Sequence, residues 1–144
     1  KRSGQISTIL QFCLIGGLLL MGPIITYSNI ALMVVQASGM VIGIWAILLV
    51  GVLNVSIFPI PRKGLVLHIN GPYRWIRHPM YLAVLLFFIP IALHQATWLK
   101  RLLLLMLIAD IIVKIIIEEK LLIMAIDGYN DYIKKTWRLI PFLF

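Results

Sequence analysis

Cysteine is almost missing from this sequence, and negative charge is scarce. Cys13 is the only cysteine, so no internal disulfide can form and no thiol cluster is available to ligate a metal. Set inside an apolar run, Cys13 reads as a packing residue. Acidic residues number 5 against 13 lysines and arginines, and charged residues make up only 12% of the chain. A water-soluble domain carries roughly 25%. No phosphate-cradling glycine loop is present, which argues against nucleotide-driven transport. The first apolar run is too long and too lightly flanked for a cleaved signal peptide, and no segment after it has the composition of a secreted domain.

What fills the chain instead is apolar. Hydrophobic residues account for 62% of the 144 positions, and mean hydropathy is +1.03. A chain this small suits one domain. In water it would keep about a third or more of its potential surface wet, and there are too few polar residues to cover that surface. Lipid is therefore the expected solvent. The net charge of +8 would suggest nucleic acid on a soluble protein. Here the basic residues fall between and after apolar runs, where they act as topology signals and contacts for anionic membrane lipids, so no nucleic-acid partner is expected.

A bilayer core about 30 Å thick needs around 20 apolar residues in helix. Residues 6–27 meet that length, with Pro23 as a kink. A polar break follows, and a second span covers 31–58. Its Gly39 and Gly43 form a small-xxx-small pair that allows close approach to a neighbouring helix. Over 59–79, six prolines and glycines and four basic residues break the pattern into a polar connection longer than mere turning requires. A third span runs over 80–98 and a fourth over 99–126, the latter long enough to project beyond the bilayer. The tail, 127–144, mixes Tyr129, Tyr132 and Trp137 with Lys134, Lys135 and Arg138, a composition suited to the membrane–water interface.

The expected fold is thus an all-α polytopic membrane bundle in a single domain. It has one hairpin over 1–58, a connection over 59–79, a second hairpin over 80–126 and the interfacial tail. Four spans put both termini and the connection on one side with nine basic residues, Lys1 and Arg2 among them, leaving Lys100 and Arg101 opposite, so the charged side is assigned to the cytoplasm. A break at Pro90 would raise the count to five.

Two groups of residues carry chemistry. Asp110, Lys114 and Glu118 recur every four positions and share one face of the fourth helix, with Glu119 beside them. A charge in mid-membrane costs about 2.5–3.5 kcal/mol on insertion scales. A ladder of acid, base and acid that satisfies itself would explain three of the four; the fourth favours use in a site. The second group is GPYRWIRHPMY, 71–81, where His78 is held between Arg77 and Pro79 at the mouth of a helix. Amides at a helix start favour anionic groups, so these residues point to a site for a polar or anionic ligand at the cytoplasmic face.

The segments GPYRWIRHPMY, KIIIEEKLL and GYNDYIKKTWRLIP, in that order, resemble the isoprenylcysteine carboxyl methyltransferase and phospholipid methyltransferase superfamily. Arg77, His78, Pro79 and Tyr81 match its first element. Glu118, Glu119 and Leu122 match the second, and Tyr129, Tyr132, Arg138, Ile140 and Pro141 the third. The resemblance covers roughly residues 70–141. Lys114 stands where the family usually has Arg, Ala83 where it has Gly, and Met124–Ala125 where it has Phe-Gly. Replacing a planar fork by a point charge keeps the charge but not the bidentate geometry.

This resemblance implies methyl transfer from S-adenosylmethionine to a lipophilic acceptor such as an isoprenylcysteine-like carboxylate or another small lipid. It implies a cytoplasmic cofactor pocket formed by Arg77, His78, Pro79, Tyr81, Glu119 and Arg138, with Lys114 and Glu118 beside the reacting groups and Lys114 steadying an anionic acceptor. Carboxylates and aromatic faces suit a sulfonium. His78, Arg74 or Arg77 would answer the donor's own carboxylate. No metal and no covalent enzyme intermediate is required. Two rivals remain. Sterol-type membrane reductases share a similar C-terminal pattern and use NADPH, but are usually much larger. A small transporter or scaffold would use Asp110, Lys114 and Glu118 as a polar path, although no second span offers facing charges.

Overall fold

The computed structural model describes residues 2–26, 29–51, 67, 69–94 and 97–142. Among them lie four long helices and one short one: α1 (Arg2–Leu20), α2 (Ile30–Val50), α3 (Pro79–Leu93), α4 (Trp98–Ala125) and α5 (Tyr129–Lys135). The described residues contain no strand, so the all-α expectation holds. The second half of the 59–79 connection contains a 3-10 turn, Gly71–Arg74. Positions 52–66, which include the expected end of the second span, lie outside the described residues.

Local sequence accounts for most helix ends. α1 stops at Leu20 rather than running on to 27, because Gly22 and Pro23 interrupt it. Asn29 caps α2, its side-chain oxygen accepting from the Ala31 amide at 2.9 Å, and Thr97 does the same for α4 from the Lys100 amide at 3.3 Å. α2 ends at Gly51, whose φ of 82° leaves the helical region. Pro90 lies inside α3, which continues through it to Leu93. The five-span alternative that rested on a break at Pro90 therefore does not arise.

On length and composition, α2 is the described helix long and apolar enough to cross a membrane. Ile6–Leu20 and Pro79–Leu93 are apolar but shorter. α4 has the length, 28 residues, but carries seven charged side chains from Lys100 to Lys120.

α1 and α4 run antiparallel, with Gly17 against Leu103 and Gly22 against Lys100. α3 packs on both of them, and Leu14, Leu18, Phe88, Ile91, Leu107, Ile111 and Ile115 form the core they share. Leu139 of the tail joins the same cluster. α2 lies along α3, and the glycine pair makes that contact. A methyl group at Gly39 would sit 2.9 Å from the Ala83 carbonyl oxygen, and one at Gly43 would sit 3.1 Å from Ala83 Cβ. Ala83, small like the family's glycine, leaves room for both. The far face of α2 is left exposed, with Val41, Ile44 and Leu48 each more than half accessible. Gln36 secures the α1–α2 link, donating to the Ile24 carbonyl at 2.6 Å and accepting from the Thr26 amide at 3.1 Å.

These pairings put the start of α3, the ends of α2 and α4, and the tail at one end of the bundle. Gly71 joins that end with φ at +59°; a side chain there would run into Leu49 and Trp45 of α2.

Candidate functional site

The site is assembled where the RHP segment, the end of α4 and the tail meet. Backbone pairing brings the first and third of these together. Arg77 N donates to the Trp137 carbonyl at 2.7 Å, Trp137 N to the Trp75 carbonyl at 2.9 Å, and His78 N to the Arg138 carbonyl at 3.0 Å. This single parallel bridge, Ile76 with Trp137, sets the tail alongside the entrance to α3.

Glu119 then ties both segments to α4. Arg77 Nε donates to one carboxylate oxygen at 2.7 Å, and Arg138 Nε to the other at 2.8 Å. Arg77 is held further by its Nη1, which bonds the Ile133 carbonyl and both the carbonyl and hydroxyl of Thr136. Arg77 and Glu119 side chains are each only 6% accessible. Charged hydrogen bonds of this kind are about twice as strong as neutral ones, so the clasp is a structural joint as much as a binding surface.

The neighbouring Glu118 is placed differently. Its side chain is 29% accessible and accepts from Tyr81 Oη at 2.9 Å. His78 stands between the two glutamates, with Nδ1 3.9 Å from Glu118 and Nε2 3.5 Å from Glu119. Neither distance makes a strong hydrogen bond, and His78 Nε2 is a buried polar atom with no hydrogen-bond partner. The His78 and Tyr81 rings lie 5.6 Å apart. Pro79 opens α3 as its first residue and is buried beneath them. Six of the expected residues, Arg77, His78, Tyr81, Glu118, Glu119 and Arg138, are thus gathered into one cluster.

Lys114 faces elsewhere. Its side chain is buried and its ammonium donates to Gln11 of α1. One turn earlier, Asp110 accepts from Ser7 of α1 at 2.5 Å, while its second oxygen is buried without a hydrogen-bond partner. No second span was expected to offer facing charges, and the α1 partners, Ser7 and Gln11, are uncharged. They supply the polar face that answers the charges of α4. The signal was present: Ser7 and Gln11 are four apart, the same spacing as Asp110 and Lys114. Two further expectations change. Arg77 is held in the clasp, and Arg74 turns to a recess beside α5, so neither is placed to receive a ligand carboxylate beside Glu118.

Tyrosines brace the tail. Tyr132 donates to the Tyr73 carbonyl at 2.6 Å, and burial pushes its phenol up to about 12. Burial also raises Tyr73 and Tyr129. All three remain neutral donors near neutral pH. Among the described residues, no group of three or more His, Cys, Asp or Glu side chains is arranged to hold a metal.

The class this architecture belongs to is given by comparison with known families. A family model for phospholipid methyltransferase matches residues 14–126, from the middle of α1 through the whole of α4. The chain belongs to this family, part of the isoprenylcysteine and phospholipid methyltransferase superfamily, whose members are membrane-associated methyltransferases of lipid-like substrates. The matched stretch includes the RHP segment and both glutamates and stops short of the tail. No curated protein and no solved structure matches the chain.

Proposed function

We propose that this chain transfers a methyl group from S-adenosylmethionine to a lipophilic acceptor, at the end of the bundle where Glu118, Tyr81, His78 and Arg138 converge. In this reading α1 to α4 all span the membrane, and that end faces the cytoplasm. The observation that carries it is the contrast between adjacent glutamates. Glu119 is neutralised by two arginines, whereas Glu118 keeps a partly accessible carboxylate beside an aromatic ring. Negative charge next to aromatic surface suits a sulfonium cation.

The residues present fit the cofactor. Glu118 and Tyr81 would face its sulfonium, the unpartnered His78 Nε2 would meet a polar group, and Arg138, 38% accessible, would answer its carboxylate. The cofactor supplies an electrophilic methyl group. The protein's contribution is alignment and exclusion of water, since direct displacement gains most from holding the reacting atoms in line. Lys114, one turn from Glu118 and buried against α1, serves as interior counter-charge on the acceptor's side of the site.

Calorimetric titration of the detergent-purified protein with S-adenosylhomocysteine, with NADPH in parallel, tests this reading. Binding of the first alone is expected, and Glu118→Ala is expected to abolish it without unfolding the protein. Binding of NADPH instead would transfer the site to a reductase. Binding of neither would leave a scaffold or transporter.

A further inference from the structure

A second feature at the same end of the bundle is lined by none of Glu118, Glu119 and His78. Between the Gly71–Arg74 turn and α5 lies a recess of about 500 Å³, whose lining includes Ile69, Asn70, Arg74, Tyr132 and Lys135. Its two cations are exposed, and neither forms an ion pair among the described residues. Asp131 also borders the recess, but its carboxylate is held by Lys134 at 2.9 Å. The lining therefore keeps a net positive charge, with the Asn70 amide as an uncharged donor. Tyr132 contributes a wall rather than a donor, because its hydroxyl is spent on Tyr73.

The surroundings indicate where the anion comes from. Ile69 is 55% accessible, Trp75 56% and Phe142 87%. Trp75 follows Arg74 in the chain, and outside the lining Trp137, also exposed, lies tilted against Phe142 with ring centres 5.4 Å apart. Exposed aromatics beside cations mark the headgroup level of a bilayer. A soluble anion would not need the exposed Ile69 in the lining, whereas a lipid would place its phosphate on the cations and its glycerol and upper chain against Ile69.

We propose that this recess binds the phosphate of an anionic glycerophospholipid, with Arg74 and Lys135 as its two cationic contacts. The proposal does not depend on the methyl-transfer reading, since Glu118, Glu119 and His78 take no part.

Native mass spectrometry of protein exchanged into mixed phosphatidylglycerol and phosphatidylcholine would count retained lipids of each kind. Preferential retention of phosphatidylglycerol is expected. The double variant Arg74→Gln/Lys135→Gln should lower that preference on the order of tenfold while its circular dichroism and Tm stay close to the parent's. Arg101→Gln/Lys120→Gln, which removes two exposed charges outside the recess lining, should leave the preference within about twofold. Equal retention of the two lipids, or an unchanged preference in the double variant, would overturn the proposal. So would an equal loss in Arg101→Gln/Lys120→Gln, which would reduce the effect to general surface charge. Displacement of phosphatidylglycerol by millimolar inorganic phosphate would assign the recess to a soluble anion and overturn the lipid reading.

Discussion

Glu118 and Glu119 adjoin in sequence yet occupy opposite regimes of the same electrostatics. Glu119 is almost inaccessible and paired at 2.7 and 2.8 Å with two arginines, so its value is structural. Removing one member of a buried charged set leaves the others uncompensated and costs about 3–5 kcal/mol. Glu119→Ala is accordingly expected to lower stability by that amount and to free the tail, seen as faster proteolysis after Lys134 and Lys135. Glu118→Ala, at a side chain already partly wet, is expected to change Tm by only a few degrees while donor binding disappears. Measured side by side, the pair separates a joint from a site; similar Tm losses in both would remove the distinction.

Helix–helix contacts carry the next level of argument. Asp110 and Lys114 of α4 meet Ser7 and Gln11 of α1, so neither charge is isolated in the interior. Lys114→Leu strands Gln11 and removes the cation that acts through space on Asp110, and is expected to destabilise by about 1–3 kcal/mol. Asp110→Leu combined with it should recover part of that loss, a coupling that a double-mutant cycle reads directly. Lys114→Arg keeps the charge and is expected to retain activity, which Lys114→Leu is expected to lose. Between α2 and α3 the governing term is steric. A side chain at Gly39 would press on the backbone of Ala83 and Phe87, so Gly39→Val should cost about 1–3 kcal/mol through overpacking, measurable as a lower Tm in detergent.

Across the whole molecule, antiparallel pairing of α1 with α4 and of α2 with α3 sorts the charges to two ends. Arg74, Arg77, Lys134, Lys135 and Arg138 gather at the end that holds the clasp. Lys100, its ammonium 3.1 Å from the His94 carbonyl, marks the other. In the proposed orientation, which puts the clasp end in the cytoplasm, single cysteines at Lys134→Cys and Trp98→Cys, each in a Cys13→Ser background, should react with an impermeant maleimide from opposite sides. Labelling of both from the same side would contradict a membrane-spanning arrangement of α4. Much of this was readable beforehand, because it rests on local rules. Apolar run length located the helices, although the first ends at Leu20 instead of passing through Pro23 as a kink, and the glycine pair foretold a close contact without naming α3 as its partner. The motif order located the RHP segment, the paired glutamates and the tail as one site. Only the tertiary structure decided which glutamate is gripped and which remains accessible, because that depends on two arginines 61 residues apart in sequence and a backbone bridge no local pattern encodes. It also decided that Lys114 turns to α1, since a helical repeat of four specifies a face but not the neighbour that face will meet.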